Sequence, residues 1–213
     1  MKLFGYWRSS ATYRVRIALA LKGLDYDYEP VNLLKGEQKS SAYLTKNSTG
    51  LVPTLETDDG DFITQSLAII GYLEDSHPAP TILPDEPVAR AHARSIAMSI
   101  ACEAQPFMNL RMQKYLKTER NFNDIAMADW LNRWSGGAMA AVEKIVTQTG
   151  GDYCIGDTPS LADCCLVPQM FGALRFGIDV SAMHRLNAIY ERCQKHPAFE
   201  KAHPDHQPDA VQQ

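Results

Sequence analysis

Arg8-Ser9-Ser10-Ala11-Thr12-Tyr13-Arg14-Val15-Arg16 follows directly on the apolar run Leu3-Phe4-Gly5-Tyr6-Trp7. Two hydroxyls and an arginine therefore stand where a strand is expected to end and a helix to begin. The first N–H groups of a helix have no partner inside it, and the aligned peptide dipoles make that end positive, so an anion is favoured there. A thiol–disulfide enzyme would place paired cysteines at such a turn, and Ser9 to Thr12 offer no sulfur. The turn is suited to holding another molecule's thiolate.

Two further segments carry chemistry. In Leu51-Val52-Pro53-Thr54-Leu55 a proline opens a strand, a place where proline is tolerated. A cis Val52–Pro53 bond would turn the Val52 N–H and C=O outward, ready to pair with an extended peptide; an ordinary strand start is the plainer alternative. Gln65-Ser66 opens a helix, where a hydroxyl and free N–H groups can seat a carboxylate or simply cap the first turn.

The elements that must position these residues follow from periodicity. Lys2–Tyr6 and Tyr26–Val31 read as strands, with a helix over Thr12–Lys22 between them, closed by Gly23. A short helix is expected over Glu37–Leu44. Thr54–Thr57 and Phe62–Thr64 flank Asp58-Asp59-Gly60, a hairpin signal, and Gln65–Glu74 returns to helical spacing. The order β-α-β-α-β-β-α requires a mixed four-stranded sheet covered by helices. Three prolines within residues 78–84 mark a linker. Helices are then expected over Pro87–Tyr115, Asp124–Thr149, Ser160–Phe176 and Leu186–Lys195. The polar, proline-broken end from His203 to Asp209 reads as an extended or frayed tail. The division is therefore 1–78 for an α/β domain, 79–85 for a linker and 86–213 for an all-helical domain with its tail.

A formal charge of −4, from 21 basic and 25 acidic residues, argues against a nucleic-acid binder. No apolar stretch is long enough to span a membrane, and the N-terminus lacks a signal-peptide core. The five cysteines, Cys102, Cys154, Cys164, Cys165 and Cys193, show no zinc-like spacing and fit reduced thiols in a cytoplasmic protein. The adjacent pair Cys164-Cys165 reads as two small apolar residues in a buried helix. Six histidines show no metal-binding spacing. Ser160 and Asp163 fit a helix cap, and Met108 and Met112 fit core packing.

Taken together, Arg8-Ser9-Ser10, Arg14 to Gly23, Val52-Pro53-Thr54-Leu55, Gln65 to Ile70, Gln105-Pro106, Asn109-Leu110, Ala162 to Gln169 and His203-Pro204…Gln207-Pro208-Asp209 resemble the glutathione transferase superfamily, and within it the zeta class. The resemblance spans nearly the whole chain. It implies a thioredoxin-like N-terminal domain, a C-terminal helical bundle, a homodimer, and glutathione as cofactor. The implied reaction is cis–trans isomerisation of maleylacetoacetate to the fumaryl product by reversible thiolate addition. Maleylpyruvate isomerisation, glutathione transfer to electrophilic acids, and a non-catalytic scaffold are the rivals.

Carried over residue by residue, the resemblance gives Ser9 the glutathione sulfur, with Ser10 at the same helix start. Val52 would pair with the cysteinyl backbone, Gln65 and Ser66 would hold the γ-glutamyl carboxylate, and Gln38 would meet the glycyl end. Gln105 and Asn109, four apart on one expected helix, would face the cleft. Arg8, Arg111 and Arg175 are the candidates for the carboxylates of a small dicarboxylate substrate, because a guanidinium matches a carboxylate in shape and charge. The family pattern usually runs Ser-Ser-Cys, and here Ala11 takes the third place. That leaves the bound cofactor's sulfur as the single nucleophile, which is all that isomerisation requires.

Overall fold

The computed structural model describes residues 1–211 and divides into two compact units, Met1–Ile82 joined by the segment from Lys195 onward, and Leu83–Gln194. The first unit is built on a four-stranded sheet in the order β2-β1-β3-β4. β1 (Lys2–Gly5) runs parallel to β2 (Asp27–Pro30) with Leu3 opposite Tyr28, and antiparallel to β3 (Thr54–Glu56). β3 turns into β4 (Phe62–Thr64) through Asp58-Asp59-Gly60. This is the expected mixed sheet.

On the sheet lie α1 (Ser10–Leu21) and α3 (Ser66–Ser76), packed against each other, while α2 (Ser41–Leu44) follows a tight turn at Glu37–Lys39. Leu3, Leu55, Val15, Ile17, Leu19, Ile69, Ile70 and Leu73 are fully or almost fully buried in the core between the layers. Gly5 permits the close approach of β1 and α1: a Cβ there would stand 2.3 Å from Thr12 Cγ2. Any larger residue would push the helix start away from the strand that positions it.

The chain leaves this unit through a buried clamp. Lys22 Nζ donates to Glu74 Oε1 at 2.5 Å and to the Pro80 carbonyl at 2.9 Å. Glu74 also accepts from Thr81 Oγ1 and from the Ile82 N–H. Lys22, at the end of α1, thus fastens the proline-rich segment.

The second unit is helical: α4 (Pro87–Met98), α5 (Leu110–Glu119), α6 (Asp124–Leu131), α7 (Gly137–Thr149), α8 (Leu161–Arg175) and α9 (His184–Gln194). α8 packs on α4 and α9 and is buried along most of its length despite Pro168. Cys164 and Cys165 on it are fully buried, as small core residues, and burial raises the Cys164 thiol pKa well above its ordinary value.

Two expectations are corrected. The stretch Pro87–Tyr115 is not one helix. It widens into a π turn at Ser99–Ala104, tightens at Gln105–Phe107, and restarts at Leu110, because Pro106 has no N–H to donate and Asn109 caps a new helix. Gln105 and Asn109 therefore do not share a helix face. Nor is the C-terminal end frayed. α10 (Pro197–Ala202) packs on α1, and a short turn at Pro204–His206 follows with Pro204 buried. Ala202 and Phe199 supply the apolar contact, so this segment belongs with the first unit rather than the helical one.

Candidate thiolate and peptide site

Ser9 caps α1 from an extended backbone conformation, and its Oγ accepts the Thr12 N–H at 3.2 Å. The hydrogen that Ser9 itself carries is left to donate. The turn is closed by Ser9 N–H on the Tyr6 carbonyl at 2.9 Å. Ser10 is the first residue of the helix, and no acidic residue stands in the first turn, so the positive end of α1 is not neutralised from within. Ala11, half-buried on that turn, presents only a methyl. Arg8 lays its guanidinium 4.7 Å from the Trp7 ring centroid, and its Nε is buried without a partner among the described residues.

The second helix start is held by Arg14, whose sequence position alone points to no role. Arg14, 2% exposed on α1, donates through Nη1 to Ser66 Oγ at 3.0 Å. Ser66 is thus not the cap of α3. Gln65 is, with φ of 69° and ψ of 117° and no side-chain capping bond. A glutamine held in the left-handed half of backbone space is strained, and such strain persists where surrounding structure imposes it, commonly at binding sites. The result is a helix start with open N–H groups, a buried guanidinium behind it and a hydroxyl fixed between them, an arrangement suited to a carboxylate.

Val52 lies half-buried against Phe4, Val31 and Tyr43. The Val52–Pro53 bond is cis, as expected from the sequence. Among the described residues neither the Val52 N–H nor its C=O has a hydrogen-bond partner, so both remain available to an extended chain. The loop is held from behind. Tyr43 Oη donates to the Leu51 carbonyl at 2.7 Å and pairs with Thr54 Oγ1, while Asn47 Nδ2 donates to both of those acceptors. Burial raises the Tyr43 phenol pKa despite these bonds. Asn47 and Tyr43 were not singled out from the sequence; a buried asparagine before a Gly-Leu-Val-Pro loop is the signal that points to them. Gln38 stands in the tight turn before α2, with its Oε1 buried and unpartnered among the described residues.

The remaining candidates lie in the helical unit. Gln105 is half-buried in the tight turn before Met108. Asn109 engages its own helix start: Oδ1 accepts the Met112 N–H at 2.9 Å and Nδ2 donates to the Pro106 carbonyl at 2.8 Å. Arg111 is exposed in the first turn of α5. Arg175 ends α8, exposed, with its guanidinium 4.8 Å from the Phe176 ring centroid. Among the described residues there is no cluster of three or more His, Cys, Asp or Glu side chains placed to hold a metal, and no helix long and apolar enough to cross a membrane.

The chain is similar to known proteins along nearly its whole length. Residues 8–76 match the family model for the glutathione S-transferase N-terminal domain. The maleylacetoacetate isomerase of Pseudomonas aeruginosa is 43% identical over 211 residues, covering 98% of both chains. Among solved structures, the holo form of a maleyl pyruvate isomerase described as a bacterial zeta-class glutathione S-transferase superposes with a TM-score of 0.95 at 37% identity, over 99% of this chain and all of the other. The maleylacetoacetate isomerase of Methylobacterium extorquens AM1, solved with bound malonate and glutathione, gives 0.94 at 37% identity and full coverage of both. Matched end to end by relatives at 37% to 43% identity, the chain belongs to the zeta class of the glutathione transferase superfamily.

Proposed function

We propose that this protein is a glutathione-dependent isomerase that converts maleylacetoacetate to fumarylacetoacetate. The observation that carries the reading is the bond from Arg14 to Ser66, which ties the serine-capped start of α1 to the open start of α3. One unit thereby offers a thiolate seat and a carboxylate seat, with an unpaired peptide edge at Val52. Those are the three features needed to hold a γ-glutamyl tripeptide by its sulfur, its backbone and its terminus.

The chemistry that glutathione supplies when bound is a thiolate able to add reversibly to a conjugated cis double bond. The chain's own residues make that thiolate available and place it. The Ser9 hydroxyl donates to the sulfur, favouring its ionised form, and the unneutralised end of α1 adds to the effect. Ser10 contributes its N–H at the same end. Gln65 and Ser66, backed by Arg14, receive the γ-glutamyl carboxylate; Val52 pairs with the cysteinyl peptide; Gln38 meets the glycyl residue, its Oε1 accepting the glycyl N–H. Gln105 and Asn109 are assigned to the cofactor as well, Asn109 through what its capping bonds leave available. Arg8, Arg111 and Arg175 are assigned to substrate carboxylates, with Arg8 nearest in sequence to the serines. Ala11 supplies no second sulfur, so no mixed disulfide can form at that position.

Maleylpyruvate is the second reading, favoured by the near-identical fold of a maleyl pyruvate isomerase. The protein is further proposed to act as a cytoplasmic homodimer, as family membership implies, which light scattering after gel filtration will check. The deciding assay follows both maleyl substrates side by side, with and without glutathione. We expect turnover of maleylacetoacetate that requires glutathione; turnover that persists without it overturns the proposal.

A further inference from the structure

The C-terminal segment reaches back to the turn that carries Ser9. Beyond the short turn Pro204–His206, Asp209 sits at the junction of β1 and α1, where its Oδ2 accepts the Trp7 N–H at 3.0 Å and the Tyr28 hydroxyl at 3.3 Å. Trp7 precedes Ser9 by two residues, adjoins Arg8 and is 4% exposed. Its carbonyl accepts from Arg16 Nη2 at 2.9 Å, and Arg16 in turn donates through Nε to the Ala202 carbonyl at 3.0 Å. The N–H and the carbonyl of Trp7 are therefore both held by side chains, one from Asp209 in the C-terminal segment and one from Arg16 on α1, whose other bond reaches Ala202 in that same segment.

This matters because the bonds of Ser9 itself close the turn locally. Ser9 bonds Tyr6 and Thr12, which sets the shape of the turn. Its placement against the sheet is set by the close approach of Thr12 to Gly5 and by what holds Trp7. The Asp209 carboxylate is not an exposed charge: Oδ1 is buried without a partner among the described residues, and the buried Arg16 guanidinium stands close enough to interact with the carboxylate's charge. Tyr28, whose ring edge lies against Gly5, braces the carboxylate from β2.

We infer that Asp209 is a positioning residue for the thiolate seat, holding the Trp7 amide so that the Ser9 hydroxyl and Arg8 stand where the reaction needs them. The inference rests on the glutathione-dependent reading proposed above. A hydroxyl shifted from the sulfur stabilises the thiolate less, so the loss should be visible in acid–base behaviour as well as in rate.

The test uses the full-length protein. Asp209→Ala should lower kcat/KM about tenfold, as small misplacements of reacting groups do. It should also move the rising limb of the kcat/KM–pH profile to higher pH. Asp209→Asn keeps an oxygen for the Trp7 N–H and should recover most of the rate and the wild-type profile. Lys201→Ala, which removes an exposed pairing with Asp25 on the same segment, should match wild type. If Asp209→Ala does not fold, Asp209→Glu, whose carboxylate stands one methylene further out, is read in its place, and a displaced profile supports the inference. An unmoved profile in the variant read, or an asparagine variant no better than alanine, overturns it. Should the wild type itself turn over without glutathione, the proposed function fails instead.

Discussion

α1 and α8 both begin at a serine, and they treat the first turn in opposite ways. At α8, Ser160 Oγ accepts the Ala162 N–H and donates to Asp163 Oδ2 at 2.9 Å. Asp163 also accepts the Ser160 N–H at 2.8 Å and the Cys154 N–H at 2.9 Å, and it is fully buried. Burial raises its pKa even though each of those bonds works the other way. The positive helix end is answered by the chain's own carboxylate. At α1, Ser9 makes a single capping bond, no acid stands in the first turn, and the residue is only half-buried. The same capping residue thus builds a closed joint in one place and an open seat in the other. What separates them is whether a carboxylate sits three residues on and whether solvent can reach the hydroxyl.

That contrast can be broken at either end. The largest effect is expected from Asp163→Ala, which leaves two buried N–H groups and a hydroxyl without their acceptor. It should cost about 3 kcal/mol of stability, read by chemical denaturation. A loss below about 1 kcal/mol would mean that the α8 joint is not the closed one described. Next come alanine substitutions of the two serines. Ser9→Ala should lower kcat/KM about a hundredfold through loss of a donor to the thiolate, while removing only about 1 kcal/mol of stability. Ser160→Ala should do the reverse, costing stability with kcat unchanged. Equal losses of activity in both variants would erase the distinction. A smaller change is expected from Arg14→Lys, which keeps the charge but not the planar fork. Glutathione affinity should fall about tenfold by calorimetry, equivalent to about 1.4 kcal/mol, and an unchanged Kd would remove Arg14 from the carboxylate seat.

Much of this was legible in the chain because the residues concerned mark boundaries. Ser9, Gln65-Ser66 and Val52-Pro53 stand where elements start, and the types allowed there are few. The hairpin at Asp58-Asp59-Gly60 and the order of strands follow from the same punctuation. Ser160 and Asp163, three apart at an expected helix start, read as a cap, and the structure shows a capping box there. What stayed hidden depends on distance in space. Arg14 meets Ser66 across 52 residues, and nothing local says which face of α1 it takes. Asp209 meets Trp7 across 202, and a polar, proline-broken end reads as frayed until its contacts are known. Pro106 does carry a local signal of the break, since proline has no N–H to donate. Gln65's positive φ is hidden for a different reason: only the surroundings impose it.

The mildest expected effect concerns the segment that the sequence alone left loose. His203 packs edge-on against Tyr13, with ring centroids 6.1 Å apart, and its Nδ1 accepts the Asp205 N–H at 3.3 Å. Desolvation lowers its pKa, Asp205 opposes that shift, and His206 and Arg16 reinforce it. The neutral ring is therefore the one that fits the folded protein. Above the ordinary value near 6.5, both folded and unfolded chains carry the neutral form and the contribution is fully present. As pH falls through that value, the unfolded chain takes up the proton first, so stability is lost toward the lower folded pKa. His203→Gln has no such proton to bind. The gap in Tm between wild type and this variant should narrow between about pH 7.5 and pH 5.5. A gap that widens on acidification would mean that the charged ring is held by Asp205, and that the C-terminal segment is tied down by an ion pair rather than by burial.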